Sequence, residues 1–484
     1  MHKKNTDFCY LALIIILFLP ACSGTIPVRP QMVRSEPLTI QIKEPMKYVL
    51  PNGLTIYYQQ NEELPLMRGV LLIPGGKLLE SENLLGLAAA TGSQMRSGGT
   101  KDLRPEELDR RLDALGAVVE SSYGEDFGTV GFSCLSENFT EVFNLFGQVV
   151  LQPRFDEQRF GLWKAQAIDS VLRRSDDSET MAAMTFSLAI YGNSAYGRAA
   201  DIAAIKKLKV KDLKEFHQHF VFPQGARLAI SGSVPWPEIK QEIEDNFASW
   251  TKSSLPKVEL PPLNKEMKPG VYILRKDFTQ AQIVIGHQGP PRITDDLHAM
   301  AIFNSVFGLS GFDSFLFKQV RSQGGYAYAV FGGIFGGPTA GTFQVQMATR
   351  NEEAINAIDK VLEIVKGNWG KRLEEGPIAA TKHSLKQSFV FKFENPAERA
   401  KRKALLDQFG YPEDFDRNYL TMIDKVTAED TAAVSKRWIQ PENISIVIVG
   451  NVDVQAIKKH FQGVFPVYEV DFKEVPIFRG AIRK

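Results

Sequence analysis

Apolar side chains recur at helical spacing in "RPEELDRRLDALGA", where Leu108, Leu112 and Leu115 share one face and Gly116 stands where a helix would stop. The period shortens elsewhere. "YVLPNGLTIYYQQ" reads as a hairpin-like start with its turn at Asn52-Gly53, and "MRGVLLIPGG" as the strand that follows. Strands interleaved with longer helices predict an α+β protein with largely antiparallel sheets and helices packed on one face.

The pattern occurs twice. When "LKVKDLKEFHQHFVFPQGARLAISGSVPWPEIKQEIEDNF" is laid on "VTAEDTAAVSKRWIQPENISIVIVGNVDVQAIKKHFQGVF", Leu208 faces Val426, Asp212 faces Asp430 and Pro223 faces Pro441. Gly232, Val234, Ile239 and Phe247 then face Gly450, Val452, Ile457 and Phe465 without a gap, at one offset of 218 residues. Each copy reads helix, Pro-containing turn, β-branched strand, Gly turn, helix. Between the copies, the prolines and lysines of "TKSSLPKVELPPLNKEMKPG" exclude both helix and central strand. The expected organisation is two homologous α+β domains, 44–250 and 271–484, joined by a linker over 251–270.

Composition narrows the function. A chain of 484 residues with 44% hydrophobic residues can bury a large core, and 57 basic against 56 acidic residues leave a net charge of +1. No basic excess points to nucleic acid. At the N-terminus, His2, Lys3 and Lys4 precede the apolar run Phe8 to Leu19, too short to span a membrane and suited to a signal peptide over 1–22. Leu19-Pro20-Ala21-Cys22 resembles a bacterial lipoprotein signal, which implies lipidation of Cys22; a plain secretory signal cut near Ala21 is the alternative. The polar, proline-bearing residues 23–43 are expected to tether the globule. Ser23 after the cysteine implies, by the same resemblance, the periplasmic side of an outer membrane. Of three cysteines only Cys134 remains in the folded body, so no disulfide framework forms within the mature chain, and Cys134 in "TVGFSCLS" reads as a buried structural thiol.

"LPNGLTIYY", "PGGKLLESENLLGLA", "GGT" and "YGNSAYGRAADI", in this order, resemble the N-terminal half of the pitrilysin/insulinase family of zinc peptidases. The likeness covers nearly the whole chain after the tether and includes the family's internal duplication, which implies half of a clamshell. Active members continue the Gly-Leu-Ala segment into H-x-x-E-H on a helix. Histidines at i and i+4 share a face and hold zinc, and the glutamate acts as base on the bound water. Here these positions fall on Ala89, Gly92 and Ser93. The family's third ligand, on a downstream helix, falls on Ser170, and the glutamate seven residues earlier becomes Trp163. Asp169 is adjacent, but one residue turns a helical side chain by about 100°. No histidine lies between His2 and His217 to rescue the motif. His217 and His219 are two apart on a helix and face different sides. No zinc is expected in this chain.

The second half carries "FNSVFGLSGFDSFLFKQVRSQGGYAYAVFGG". By resemblance, Arg321 and Tyr328 match the family's arginine and tyrosine that reach across the clamshell and hold substrate near the zinc. A guanidinium can fork onto a peptide carboxylate or carbonyl, and a phenol can donate to a carbonyl oxygen as it gains charge. "FGGIFGGPTAGT" lacks the Gly-Lys-Ser/Thr of a phosphate loop and reads as a turn or strand edge. In the two-chain bacterial branch of the family, one subunit supplies H-x-x-E-H and the other, metal-free, supplies the arginine and tyrosine. The expectation is therefore a substrate-binding subunit of a heterodimeric zinc peptidase acting on peptides in the cell envelope. The zinc would sit in the partner. The alternative is a catalytically inactive scaffold or a peptide-binding lipoprotein.

Overall fold

In the computed structural model, residues 42–251, 259–263, 269–374 and 377–478 are described. The signal segment 1–22 with Cys22, the tether up to residue 41, and residues 252–258 and 264–268 of the linker lie outside the described residues. The first half runs β1 (Met46–Val49), β2 (Thr55–Gln60), β3 (Leu66–Pro74), α1 (Leu87–Ser97), α2 (Pro105–Ala114), β4 (Val118–Tyr123) and β5 (Phe127–Leu135). It continues with α3 (Phe139–Leu151), α4 (Glu157–Arg173), α5 (Ser178–Tyr191), α6 (Ile202–Lys207), α7 (Val210–Phe220), β6 (Arg227–Gly232) and α8 (Trp236–Phe247). The second half runs β7 (Gly270–Arg275), β8 (Gln280–Gln288), α9 (Leu297–Asn304), β9 (Ala327–Phe335), β10 (Thr342–Arg350), α10 (Ala354–Val365), α11 (Trp369–Glu374) and α12 (Pro377–Phe389). Then follow α13 (Pro396–Phe409), α14 (Phe415–Lys425), α15 (Ala428–Trp438), β11 (Ser445–Gly450), α16 (Val454–Phe461), β12 (Val467–Phe472) and β13 (Pro476–Phe478).

The strands form a six-stranded sheet, β1-β2-β6-β3-β5-β4, and a seven-stranded sheet, β13-β12-β7-β11-β8-β10-β9. Most neighbours are antiparallel; β2–β6, β7–β11 and β7–β12 are parallel. The Asn52-Gly53 turn joins β1 to β2, with Gly53 at φ 97°. The helix read around Leu108 and Leu112 is α2, and the chain turns after it at Gly116, φ 57°.

The repeat seen in the sequence is carried into three dimensions. Helix α5 and α13, α7 and α15, and strands β6 and β11 begin at 178 and 396, 210 and 428, and 227 and 445, the same 218 residues apart. Even the caps correspond: Asp177 accepts from the Thr180 N–H, and Asn395 from the N–H groups of Ala397 and Glu398.

Each sheet packs one face on helices of its own half, Ile56, Val130 and Phe132 meeting α3 and α8 through Phe143, Phe146 and Ile243, for example. On the opposite faces the halves exchange one helix. Met181, Ala182, Phe186, Ala189 and Ile190 of α5 pack on Tyr272, Leu274, Val284, Val447 and Val449 of the second sheet. In return, Ala400 and Ala404 of α13 pack on Tyr57, Leu72 and Ala229 of the first. The return contact is the less apolar of the two and is reinforced by Arg227 on Asp407 at 2.7 Å. Burial and the Asp407 carboxylate both push the Tyr57 phenol well above its ordinary value. This exchange joins the halves into one unit from Ile42 onward. Truncating Phe186, 3% exposed at the centre of the α5 contact, is expected to cost about 3–5 kcal/mol. Denaturant unfolding of Phe186→Ala checks this; an unchanged midpoint would mean the exchanged helix carries little of the stability.

Candidate functional site

Helix α1 carries the family's zinc positions. Its start has no side-chain cap of its own. The buried Glu80 carboxylate, 7% exposed, instead accepts from the Gly86 and Ala88 N–H groups at 2.9 and 2.7 Å. Burial raises the Glu80 carboxyl above its ordinary range despite these donors.

Along α1, Ala89 is exposed, Ser93 half-buried and Gly92 buried. Gly92 is the decisive residue, because α1 lies against strand β4 there. A Cβ at 92 would stand 2.4 Å from the Tyr123 nitrogen and 2.7 Å from the Ser122 carbonyl carbon. Two side-chain bonds hold this approach, Ser121 Oγ donating to the Gly92 carbonyl at 2.5 Å and Arg96 Nε to the Val119 carbonyl at 3.0 Å, while Arg96 Nη1 donates to Asp109 of α2 at 2.8 Å. The general-base position of the family is thus closed by backbone as well as lacking a carboxylate.

Helix α4 packs against α1 and carries the other two positions. Ser170 is exposed, Asp169 is engaged by Arg173 at 2.8 Å, and Trp163 is half-buried, stacked on Phe160 with centroids 5.9 Å apart. An indole on the first core therefore stands where family members place a carboxylate. A methyl, a hydrogen and two hydroxyls do not fit zinc. Among the described residues no three His, Cys, Asp or Glu side chains converge on a metal-sized point.

His217, His219 and His287 make structural contacts. His217 donates through Nε2 to the Val150 carbonyl at 2.8 Å, and His219 lies against Phe220. His287 is fully buried, with Nδ1–H donating to the Gln288 carbonyl and Nε2 accepting from the Gln440 N–H at 2.9 Å. Acceptance at Nε2 requires a neutral ring, and burial holds its pKa below the ordinary histidine value. The unfolded chain takes up that proton first, so the contribution is present above about pH 6.5 and is lost as pH falls. The unfolding midpoint is expected to drop between pH 7 and pH 5, and to drop less in His287→Asn; equal drops would assign the acid lability elsewhere. Cys134 is buried in β5, and burial pushes its thiol up to about 12, the behaviour of an inert core residue.

The second-half residues are placed differently. Two π-helical turns, Ser305–Leu309 and Phe317–Gln323, flank the loop before β9, and Arg321 lies in the second. Its guanidinium lies over the rings of Phe317 at 4.6 Å and Tyr328 at 5.2 Å. It makes no side-chain hydrogen bond or ion pair among the described residues, which leaves its N–H donors available. Tyr328 is on β9, the end strand of its sheet. Ala348 pairs with Ala329 and Thr349 with Ala327, so Tyr328 is the extra residue of a β-bulge and is 74% exposed. A bulge re-aims a side chain out of the strand's alternation. Tyr328 and Ala329 are consecutive exposed positions, which no strict alternation produces, and the uniformly apolar "AYAVF" gives no sequence signal of the bulge.

The two motifs left over from the sequence meet each other. "FGGIFGGPTAGT" ends β9 and forms the β9–β10 connection over 336–341, where Tyr191 donates to the Gly341 carbonyl at 2.8 Å and Tyr196 bonds Thr339 Oγ1 at 2.5 Å. It is a turn that docks "YGNSAYGRAADI".

The profile of the insulinase peptidases, peptidase family M16, matches residues 56–197, and that of the peptidase M16 inactive domain matches 207–385. The chain is similar to the non-peptidase homolog YmxG of Helicobacter pylori, 24% identical over 82% of this chain and 91% of that protein. An uncharacterized zinc protease of Mycobacterium leprae is 21% identical over 81% and 88%. Among solved structures, a peptidase M16 inactive domain from Pseudomonas fluorescens superposes with a TM-score of 0.76 at 19% identity, covering 84% of this chain and 98% of that one. A protease from Helicobacter pylori gives 0.73 at 17% identity, covering 85% and 100%.

Proposed function

Since this chain belongs to the insulinase peptidases, family M16, and is an inactive member of it, we propose that it is the non-catalytic, substrate-binding subunit of a heterodimeric zinc peptidase. Its partner would be a family subunit bearing H-x-x-E-H, and its substrates peptides of the cell envelope, where a lipid on Cys22 would hold the complex. The observation that carries the reading is the contrast between the two halves. Helix α1 is closed by backbone where the family keeps its base and lacks ligand side chains where the family keeps its zinc, whereas Arg321 and Tyr328 stand side by side with free donors at a sheet edge.

In this role a zinc held by the partner would supply the activated water. The residues of this chain do the positioning. The two aromatic faces against the Arg321 guanidinium limit its sideways motion while leaving N–H groups in its plane to fork onto a peptide carbonyl or carboxylate. The Tyr328 hydroxyl, aimed outward by the bulge, can donate to a carbonyl oxygen that gains charge. The test is turnover of a quenched fluorescent peptide by the zinc-bearing partner with and without this chain. Turnover that requires both chains supports the reading; full turnover by the partner alone removes it.

A further inference from the structure

Helix α13 lays Ala400 and Ala404 on the first sheet, which leaves a second face of the helix, through Lys401, Leu405 and Phe409, to other contacts. With the 3-10 turn Val390–Phe393 and the start of α14, that face lines a cavity of about 620 Å³, within the ~300–1,000 Å³ of small-molecule sites. Phe391, Leu405, Leu406, Phe409, Tyr411 and Phe415 supply its apolar wall, the Phe391 ring being 65% exposed. The cavity shares no residue with the pair Arg321 and Tyr328.

Its charges are unevenly matched. Lys401 pairs with Glu398 at 3.6 Å, and Arg402 closes on the buried Asp416 through Nε and Nη2, at 2.9 and 2.6 Å. The Arg402 Nη1 donors and the Lys392 ammonium are left without a hydrogen bond or ion pair among the described residues. Lys392 Nζ lies 5.5 Å from the ring centres of both Phe389 and Tyr419. Those rings stack at 4.4 Å, and Tyr419 meets Phe415 of the cavity wall at 6.0 Å. Although Lys392 keeps access to water, desolvation in this cluster, and then the charge of Arg402, hold its ammonium below the ordinary lysine pKa. Glu394, the other unpaired charge of the lining, is exposed.

These features narrow the occupant. One unmatched cation against the rings calls for one negative charge, since a dianion would bring a second toward Glu394 and Glu398. An ammonium and a guanidinium nitrogen together suit the two oxygens of a carboxylate. The wall comes mostly from helices, whose backbone groups are already paired, so it offers little to the amides of a peptide; a hydrocarbon chain needs only the apolar surface. We propose that this cavity binds a single-chain carboxylate, a fatty acid of medium length, with its headgroup at Lys392 and its chain along Leu406 and Phe409.

The test photocrosslinks the full-length chain in detergent with decanoate carrying a terminal diazirine and locates the adduct by mass spectrometry. Labelling is expected within 391–415, to be competed by decanoate and not by decylamine or acetyl-Leu-Leu-Leu. It is expected to fall about tenfold in Lys392→Met and to persist in Lys392→Arg. Lys392 is exposed, so both substitutions are expected to leave the unfolding midpoint unchanged. Leu406→Trp, which fills the cavity, is expected to abolish the labelling. Adducts spread over the surface, equal competition by decylamine, or undiminished labelling of Lys392→Met overturns the proposal. Competition by acetyl-Leu-Leu-Leu as strong as by decanoate would assign the cavity to a peptide C-terminus and overturn it as well.

Discussion

Arg321→Ala is expected to lower kcat/KM of the two-subunit complex by about 100- to 1,000-fold, the size of effect seen when one donor to a developing oxyanion is removed. The guanidinium has no counter-ion among the described residues, so the substitution breaks no internal ion pair. Its ring neighbours remain, and the half-buried position at the end of a helical turn is not part of the core. Assembly and unfolding midpoint are therefore expected to stay unchanged while activity is lost. Tyr328→Phe, which removes only the hydroxyl, is expected to cost about tenfold. Steady-state kinetics with gel filtration of the same samples checks both; unchanged turnover in Arg321→Ala rejects the assigned role.

The second large effect concerns the closed general-base position. Writing the family motif back as Ala89→His, Gly92→Glu and Ser93→His is expected to yield a destabilised protein that binds no zinc. The obstacle is the Gly92 contact, because its neighbours are the backbone of Ser122 and Tyr123 rather than a side chain that could swing away. Even Gly92→Ala is expected to cost about 1–3 kcal/mol as an overpacked contact. The control is Ala89→Ser, at an exposed position of the same helix, which is expected to be nearly neutral. Thermal unfolding and zinc titration of the purified variants decide the matter. A triple variant that keeps the parent midpoint and takes up one zinc would show that α1 can withdraw from β4, and that the site was lost by side chains alone.

Much of the architecture was legible because it is written in local pattern. The strand β6 and helix α7 repeat as β11 and α15 at a constant offset, and turn residues such as Gly53 and Gly116 mark where the chain must reverse. The exchange of α5 and α13 was not legible. Both helices follow the repeat, but nothing in their periodicity states which sheet they cover, a choice made by tertiary packing of Phe186 on one side and by small Ala400 and Ala404 on the other. Gly92 in a helix reads only as a poor helix former; its use in a close helix–strand contact appears once β4 is in place. Phe312 and Phe331 are exposed, which hydrophobicity alone does not signal. The pair Arg321 and Tyr328 was found by motif, while the bulge that presents the tyrosine depends on strand register, which the uniformly apolar "AYAVF" does not signal.

The central claim is that this chain works beside a zinc-bearing partner. Affinity purification of the chain from native membranes in mild detergent, followed by mass spectrometry, tests it most directly. The expected result is one stoichiometric companion carrying H-x-x-E-H; recovery of the chain alone, or with unrelated envelope proteins only, would contradict the account.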